Sequence, residues 1–170
     1  MVRLRESGRA HMRRRAGATA AAAALFLGLG LSGGSPSQAA TWGQWVSEST
    51  GKCLTAFEND VVNLAPCEAG RASQLWWPEI ISGSDRLARN AAGGCLWARP
   101  VAGLVGAYRG ACDPNDGSKL FVLFGAAVAP RVPGGLMHET QAWGNQVVVF
   151  STTVRITDPS AHWDFRPQSR

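Results

Sequence analysis

A four-residue pattern recurs in this chain at nearly constant spacing. Gly51-Lys52-Cys53-Leu54 returns after 42 residues as Gly93-Gly94-Cys95-Leu96, and 41 further on as Gly134-Gly135-Leu136-Met137, where the cysteine is lost but the glycine and the apolar pair are kept. Eight residues before the third position of each copy stands an apolar residue: Trp45, Leu87 and Val128. The second half of the unit repeats too. Gln74-Leu75-Trp76 begins seven residues after Cys67, Lys119-Leu120-Phe121 begins seven after Cys112, and Ala161-His162-Trp163 follows less tightly in the third copy. Three copies of a unit of about 42 residues fill residues 41–170, so the repeat constrains the fold more than any single motif does.

Within each copy the local signals are strands. Runs such as "DVVNLAPC", "LFVLFGAAV" and "QVVVFSTTVRI" are β-branched or aromatic and are bounded by turn sequences such as "DPNDG" and "VPGG". After the first 40 residues no stretch of a dozen carries an apolar stripe at helical spacing. Short strands repeated threefold predict an all-β domain closed around a pseudo-threefold axis, with essentially no helix.

Residues 1–40 have a different character. Six arginines and one glutamate precede an apolar run over 16–31, and Ser37-Gln38-Ala39 supplies small residues at a cleavage point. That order is that of a secretory signal peptide, and the run falls short of the ~20 residues of a membrane span. Met12, followed by three arginines, offers an alternative start. The leader's charge of 6 − 1 = +5 equals that of the whole chain, which leaves eleven basic and eleven acidic residues in 41–170. A neutral domain with no basic run is not expected to bind nucleic acid or an anionic membrane, and no membrane span is expected after the leader.

Four cysteines in an exported chain suggest two disulfides, and spacings of 14, 28 and 17 do not suit zinc. Four cysteines allow three connectivities. Pairing within the unit, Cys53 with Cys67 and Cys95 with Cys112, accounts for the paired loss in the third copy, where Leu136 and Thr152 stand instead. No pattern calls for a metal or an organic cofactor. Catalysis has little support: His138 and His162 are the histidines beyond the leader, and neither a Gly-x-Ser-x-Gly elbow nor a His-Glu-x-x-His helix motif occurs.

The tripled Gly-x-Cys-Leu, the "VNLAPC" segment and the Gln-x-Trp of Gln74 to Trp76 resemble the ricin B-type lectin family over roughly residues 42–167, most strongly in the first unit. The resemblance implies a β-trefoil in which Trp76, Phe121 and Trp163 are core residues. It also implies a shallow sugar pocket in each unit, made of a carboxylate two residues after the first cysteine, an aromatic two before the second and an asparagine beside Gln-x-Trp. At those positions this chain has Thr55, Ala65 and Ser73, then Trp97, Gly110 and Ser118, then His138, Phe150 and Ser160. The first two sets depart from the pattern. The third keeps an aromatic, so the expected ligand site is Phe150 as a stacking platform with His138, Glu139 and Asn145 as polar partners. Phe150 is also readable as a core strand residue, since "QVVVF" is almost wholly apolar. Trp97 and Trp143 are the expected exposed aromatics. Two functions fit: a secreted, monomeric carbohydrate-binding module acting on glycans, or a protein-binding subunit of a secreted multi-chain complex such as a toxin.

Overall fold

The computed structural model describes residues 40–132, 135–142 and 145–168. The expected leader lies outside them apart from Ala40, and so do Trp143 and the side chain of Asn145. The described residues form twelve strands, four to a repeat. The first unit holds β1 (Gly43–Ser47), β2 (Cys53–Ala56), β3 (Val62–Ala65) and β4 (Trp76–Ser82). The second holds β5 (Asp85–Asn90), β6 (Cys95–Val101), β7 (Leu104–Gly110) and β8 (Leu120–Phe124). The third holds β9 (Ala127–Pro130), β10 (Leu136–Ala142), β11 (Asn145–Ser151) and β12 (Trp163–Pro167). Helical structure among the described residues is confined to two 3-10 turns, Ala72–Gln74 and Pro159–Ala161.

The first and last strands of each unit make a six-stranded barrel. Antiparallel pairs join β12 to β1, β1 to β4, β4 to β5, β5 to β8 and β8 to β9. The Trp163 N–H donates to the Ala126 carbonyl at 2.8 Å and links the remaining neighbours. The middle strands of each unit form the hairpins β2–β3, β6–β7 and β10–β11. These hairpins meet one another, Phe150 pairing with Val105 and Val61 with Tyr108. This is a β-trefoil.

Repeat phase reappears as layers of the core. Trp45, Leu87 and Val128 are buried at equivalent places in β1, β5 and β9. Leu54, Leu96 and Met137 form a second set, and Trp76, Phe121 and Trp163 a third. The indole N–H groups of Trp76 and Trp163 donate to the carbonyls of Leu54 and Met137, each at 2.9 Å, so the third set is tied to the second as well as packed on it. The repeated glycine has a backbone cause: Gly51 and Gly93 sit at φ +68° and +102°, turn geometry that side-chain-bearing residues avoid.

Both disulfides close within a unit, Cys53 to Cys67 and Cys95 to Cys112, over separations of 14 and 17 residues. Loops of that length give about 3 kcal/mol each by chain entropy.

Candidate functional site

Of the four residues expected to form a third-unit site, the three whose side chains are described, His138, Glu139 and Phe150, do not share one face. His138 and Glu139 are consecutive on β10, so their side chains leave opposite faces of the hairpin. Glu139 points inward and is buried. Its carboxylate accepts from Ser47 Oγ at 2.7 Å, Thr50 Oγ1 at 3.2 Å and Gln146 Nε2 at 2.6 Å. It is a structural latch between the third unit and the first unit's β1–β2 turn.

Phe150 corrects the expectation of a stacking platform. Its ring is in the core, 5.7 Å from that of Phe121. The reason is register. Ala65 and Gly110 pair with Cys53 and Cys95, but the residue that pairs with Leu136 is Ser151, and Phe150 pairs with Met137. Counting from Thr152 therefore misplaced the pocket position by one residue, and one residue on a strand is a change of face.

In the first unit the pocket position is closed. Thr55 is buried, donates to the Cys53 carbonyl at 2.9 Å and accepts from Gln74 Nε2 at 3.0 Å. The Gln74 amide also donates to the Pro66 carbonyl and accepts from Gln44 and the Glu68 N–H, which leaves it nothing to offer a ligand.

The second unit brings its three positions together and fills them itself. The Trp97 ring lies across Gly110, where an added Cβ would meet it at 3.2 Å. Its indole N–H donates to Ser118 Oγ at 2.9 Å, and the cations of Arg99 and Lys119 stand 5.2 and 5.4 Å from its centroid. Trp97 is thus half-buried in its own unit's pocket rather than free.

A cleft of about 780 Å³ that sequence reasoning missed lies at the seam between the first and second units. Its wall includes the turn between β2 and β3, with Phe57, Glu58 and Asn59, and the side chains of Arg71 and Arg109. The turn is held from both ends: the Phe57 N–H donates to the Val61 carbonyl at 2.9 Å, and the Asp60 N–H donates to the Phe57 carbonyl at 3.0 Å. Arg109 binds Asp60 Oδ1 through Nε and Nη2 at 3.1 and 2.8 Å, anchoring the turn to the second unit. Arg71 is spanned by Glu68 and Ser73. Glu58 therefore brings an exposed carboxylate to the cleft, beside an aromatic ring. The sequence signal was "AFEND", an aromatic next to a carboxylate and an amide in a turn. It lies outside the positions that the family pattern directs attention to.

A second cleft, of about 390 Å³, opens on the outer face of β10–β11. His138, Thr140, Val149, Ser151 and Thr153 line it, with Leu104 of the second unit opposite. His138 is 8 % exposed. Burial holds its imidazole below the ordinary histidine value, opposed by its contact with the Glu139 carbonyl and by the charges of Asp158 and Glu139. Among the described residues no group of three or more His, Cys, Asp and Glu is placed to hold a metal ion, and no helix is long and apolar enough to cross a membrane.

No protein family and no curated protein matches the sequence. Solved structures do match the fold. The C-half of an earthworm R-type lectin in complex with GalNAc aligns over 75 % of this chain and 99 % of its own, at 12 % identity and a TM-score of 0.58. A chain of the cytolethal distending toxin from Actinobacillus actinomycetemcomitans aligns over 75 % and 92 %, at 16 % identity and 0.61. An endo-β-galactosidase from Clostridium perfringens aligns over 76 % of this chain and 33 % of its own, at 20 % identity and 0.61. The chain shares the β-trefoil of R-type lectins. Because that fold also serves a toxin and a hydrolase, function has to be argued from the clefts.

Proposed function

We propose that the chain is a secreted, non-catalytic carbohydrate-binding module of the ricin B type that engages glycans through the first-unit cleft. The observation that carries this reading is Phe57, a ring 37 % exposed on a braced turn at the cleft wall, with Glu58 and Asn59 next to it. An aromatic face packs on the apolar C–H face of a sugar, while carboxylate and amide oxygens accept from its hydroxyls. The lectin among the fold neighbours supports the same class, and two disulfides suit an exported chain. A shallow cleft with few hydrogen bonds implies millimolar affinity, about −4 kcal/mol per site.

The test is a glycan array with residues 41–170, followed by titration of the best sugar against wild type and Phe57→Ala. The ring is exposed enough for the variant to keep its melting temperature. Loss of binding in that folded variant is the expected result. Undiminished binding would remove the seam cleft as the site.

A protein-binding subunit is the second reading, and the barrel turns favour it. Ile80 and Phe124, next to the β4–β5 and β8–β9 turns, are 53 % and 50 % exposed. Side chains of this kind are what a docked protein would cover. An array with no hits, together with a defined complex with a co-secreted chain, would move the assignment there.

A further inference from the structure

The β6–β7 hairpin turns one face to the core and the other away from it. Leu96, Ala98 and Ala107 are buried in the core, and Val105 packs against it. The alternate residues take the other face as three cross-strand pairs, Trp97 with Tyr108, Arg99 with Gly106 and Val101 with Leu104. Glycine shapes the middle pair: a Cβ added at Gly106 would meet the Tyr108 ring at 2.8 Å, so that ring leans into the space opposite Arg99. The Arg99 guanidinium stands 5.2 Å from the centre of Trp97 and 5.5 Å from that of Tyr108, and rings at that range hold a cation in place. Trp97 is itself fixed by its bond to Ser118, and Lys119, the other cation beside it, is paired with Asp116 at 3.2 Å. Arg99 differs. It is exposed, and no carboxylate or carbonyl among the described residues accepts from its guanidinium.

We propose that this face of the β6–β7 hairpin is a docking surface for an acidic segment of a partner protein, in which a glutamate or aspartate carboxylate accepts a forked pair of hydrogen bonds from Arg99 while apolar neighbours of that residue cover Tyr108, Val101 and Leu104. Charge complementarity sets the chemistry of the partner. A planar guanidinium offers parallel N–H donors that match a carboxylate two to two, and holding it between rings in advance lowers the entropy cost of ordering a long side chain on binding. The flanking pairs set the class of partner. Leu104 is 36 % exposed and Val101 half-buried, so an apolar strip runs from the cation toward the turn that joins the two strands. An acidic peptide supplies aliphatic side chains to cover that strip, and a hydroxyl-rich acidic sugar does not. Trp, Tyr and Arg, which meet here, are also the residue types that dominate binding energy where proteins meet. The surface lies on a different hairpin from Phe57 and is independent of the glycan reading of the seam cleft.

The experiment selects a random peptide library on the protein and passes the retained peptides over Arg99→Gln, a surface change that should leave the melting temperature unmoved. Peptides that the variant fails to hold should carry Asp or Glu between apolar residues. One such peptide, titrated by NMR, should shift the Trp97 indole N–H, and changing its acid to the amide should weaken binding about tenfold or more, as should Arg99→Gln. The two changes together should cost little more than either alone, since both remove one interaction. Arg99→Lys, which keeps the charge without the fork, should fall between wild type and Arg99→Gln. Should the variants lose stability, the acid-to-amide change in the peptide decides alone on wild type. A library that yields no Arg99-dependent peptide, selected peptides without an acid, or losses that add in full overturn the proposal. So does an Arg99-dependent shift of Trp97 by glucuronic acid or N-acetylneuraminic acid where no peptide binds, which would make the surface a reader of acidic sugars. Phe57→Ala should leave the peptide affinity unchanged, so the fate of glycan binding in that variant bears on the seam cleft alone.

Discussion

Replacing Trp76 by alanine should come close to unfolding the domain. Its side chain is fully buried and stacks on Trp45, with centroids 6.0 Å apart and planes inclined by 26°. Truncating a buried tryptophan costs about 3–5 kcal/mol through lost transfer energy and the cavity left behind. The Leu54 carbonyl, which now accepts from the indole at 2.9 Å, would lose its partner, adding about 1 kcal/mol or more unless water enters. A total near 5 kcal/mol consumes much of the ~5–15 kcal/mol that holds a domain, and for this size lowers the melting temperature by roughly 15–25 °C. Trp76→Phe separates the two terms. Phe121 occupies the equivalent place in the second unit, so a phenyl ring fits the layer. That variant should lose mainly the hydrogen bond, about 1 kcal/mol. Thermal melts by circular dichroism on residues 41–170 provide the measurement. A Trp76→Ala protein melting within a few degrees of wild type would refute the layered core, and equal losses from both variants would refute the division between packing and hydrogen bond.

Two further outcomes follow from single residues. Glu139→Gln keeps the shape but sets an amide NH₂ among the donors of Ser47, Thr50 and Gln146, so it should cost about 1–3 kcal/mol in a urea melt. His162 stands where the other units have Leu75 and Leu120, and both its ring nitrogens face acceptors, the Ile156 carbonyl at 2.6 Å and Glu48 Oε2 at 3.0 Å. The Ile156 carbonyl first and Glu48 second raise its pKa. Its contribution to stability is therefore complete below the ordinary histidine value and lost as pH rises through the folded one. The melting-temperature gap between wild type and His162→Leu should narrow as pH rises from about 5.5 to about 8.5; a gap that widens over that range contradicts the assignment.

Phase made the fold legible. Glycine, cysteine and aromatic residues at fixed spacing pointed to the strands, the threefold repeat, the core place of Trp76, Phe121 and Trp163 and the disulfide partners, because each of those roles is set by position within one unit. The site depended on relations that spacing does not encode. Phe150 was misassigned because the third unit has no cysteines to mark its register, and on a strand an error of one residue exchanges core for surface. Glu139 looks like a ligand group until the β1–β2 turn, some 90 residues earlier in the chain, is brought against it. Trp97 reads as exposed because nothing in the sequence says that Gly110 vacates the space its ring occupies. Phe57 lies in a turn, where no periodicity tells a braced, half-exposed ring from an incidental one.

The pairing of β1 with β12 sets Gly43 beside Pro167. The chain therefore enters and leaves the trefoil side by side, at the end of β1 remote from the hairpin into which Ser47 leads. A tether attached before Gly43 or after Pro167 holds the domain by the same end and in nearly the same orientation. In either case the first-unit hairpin faces away from the attachment. Such a domain can trade places along a polypeptide, head or tail, and still be held by the same end.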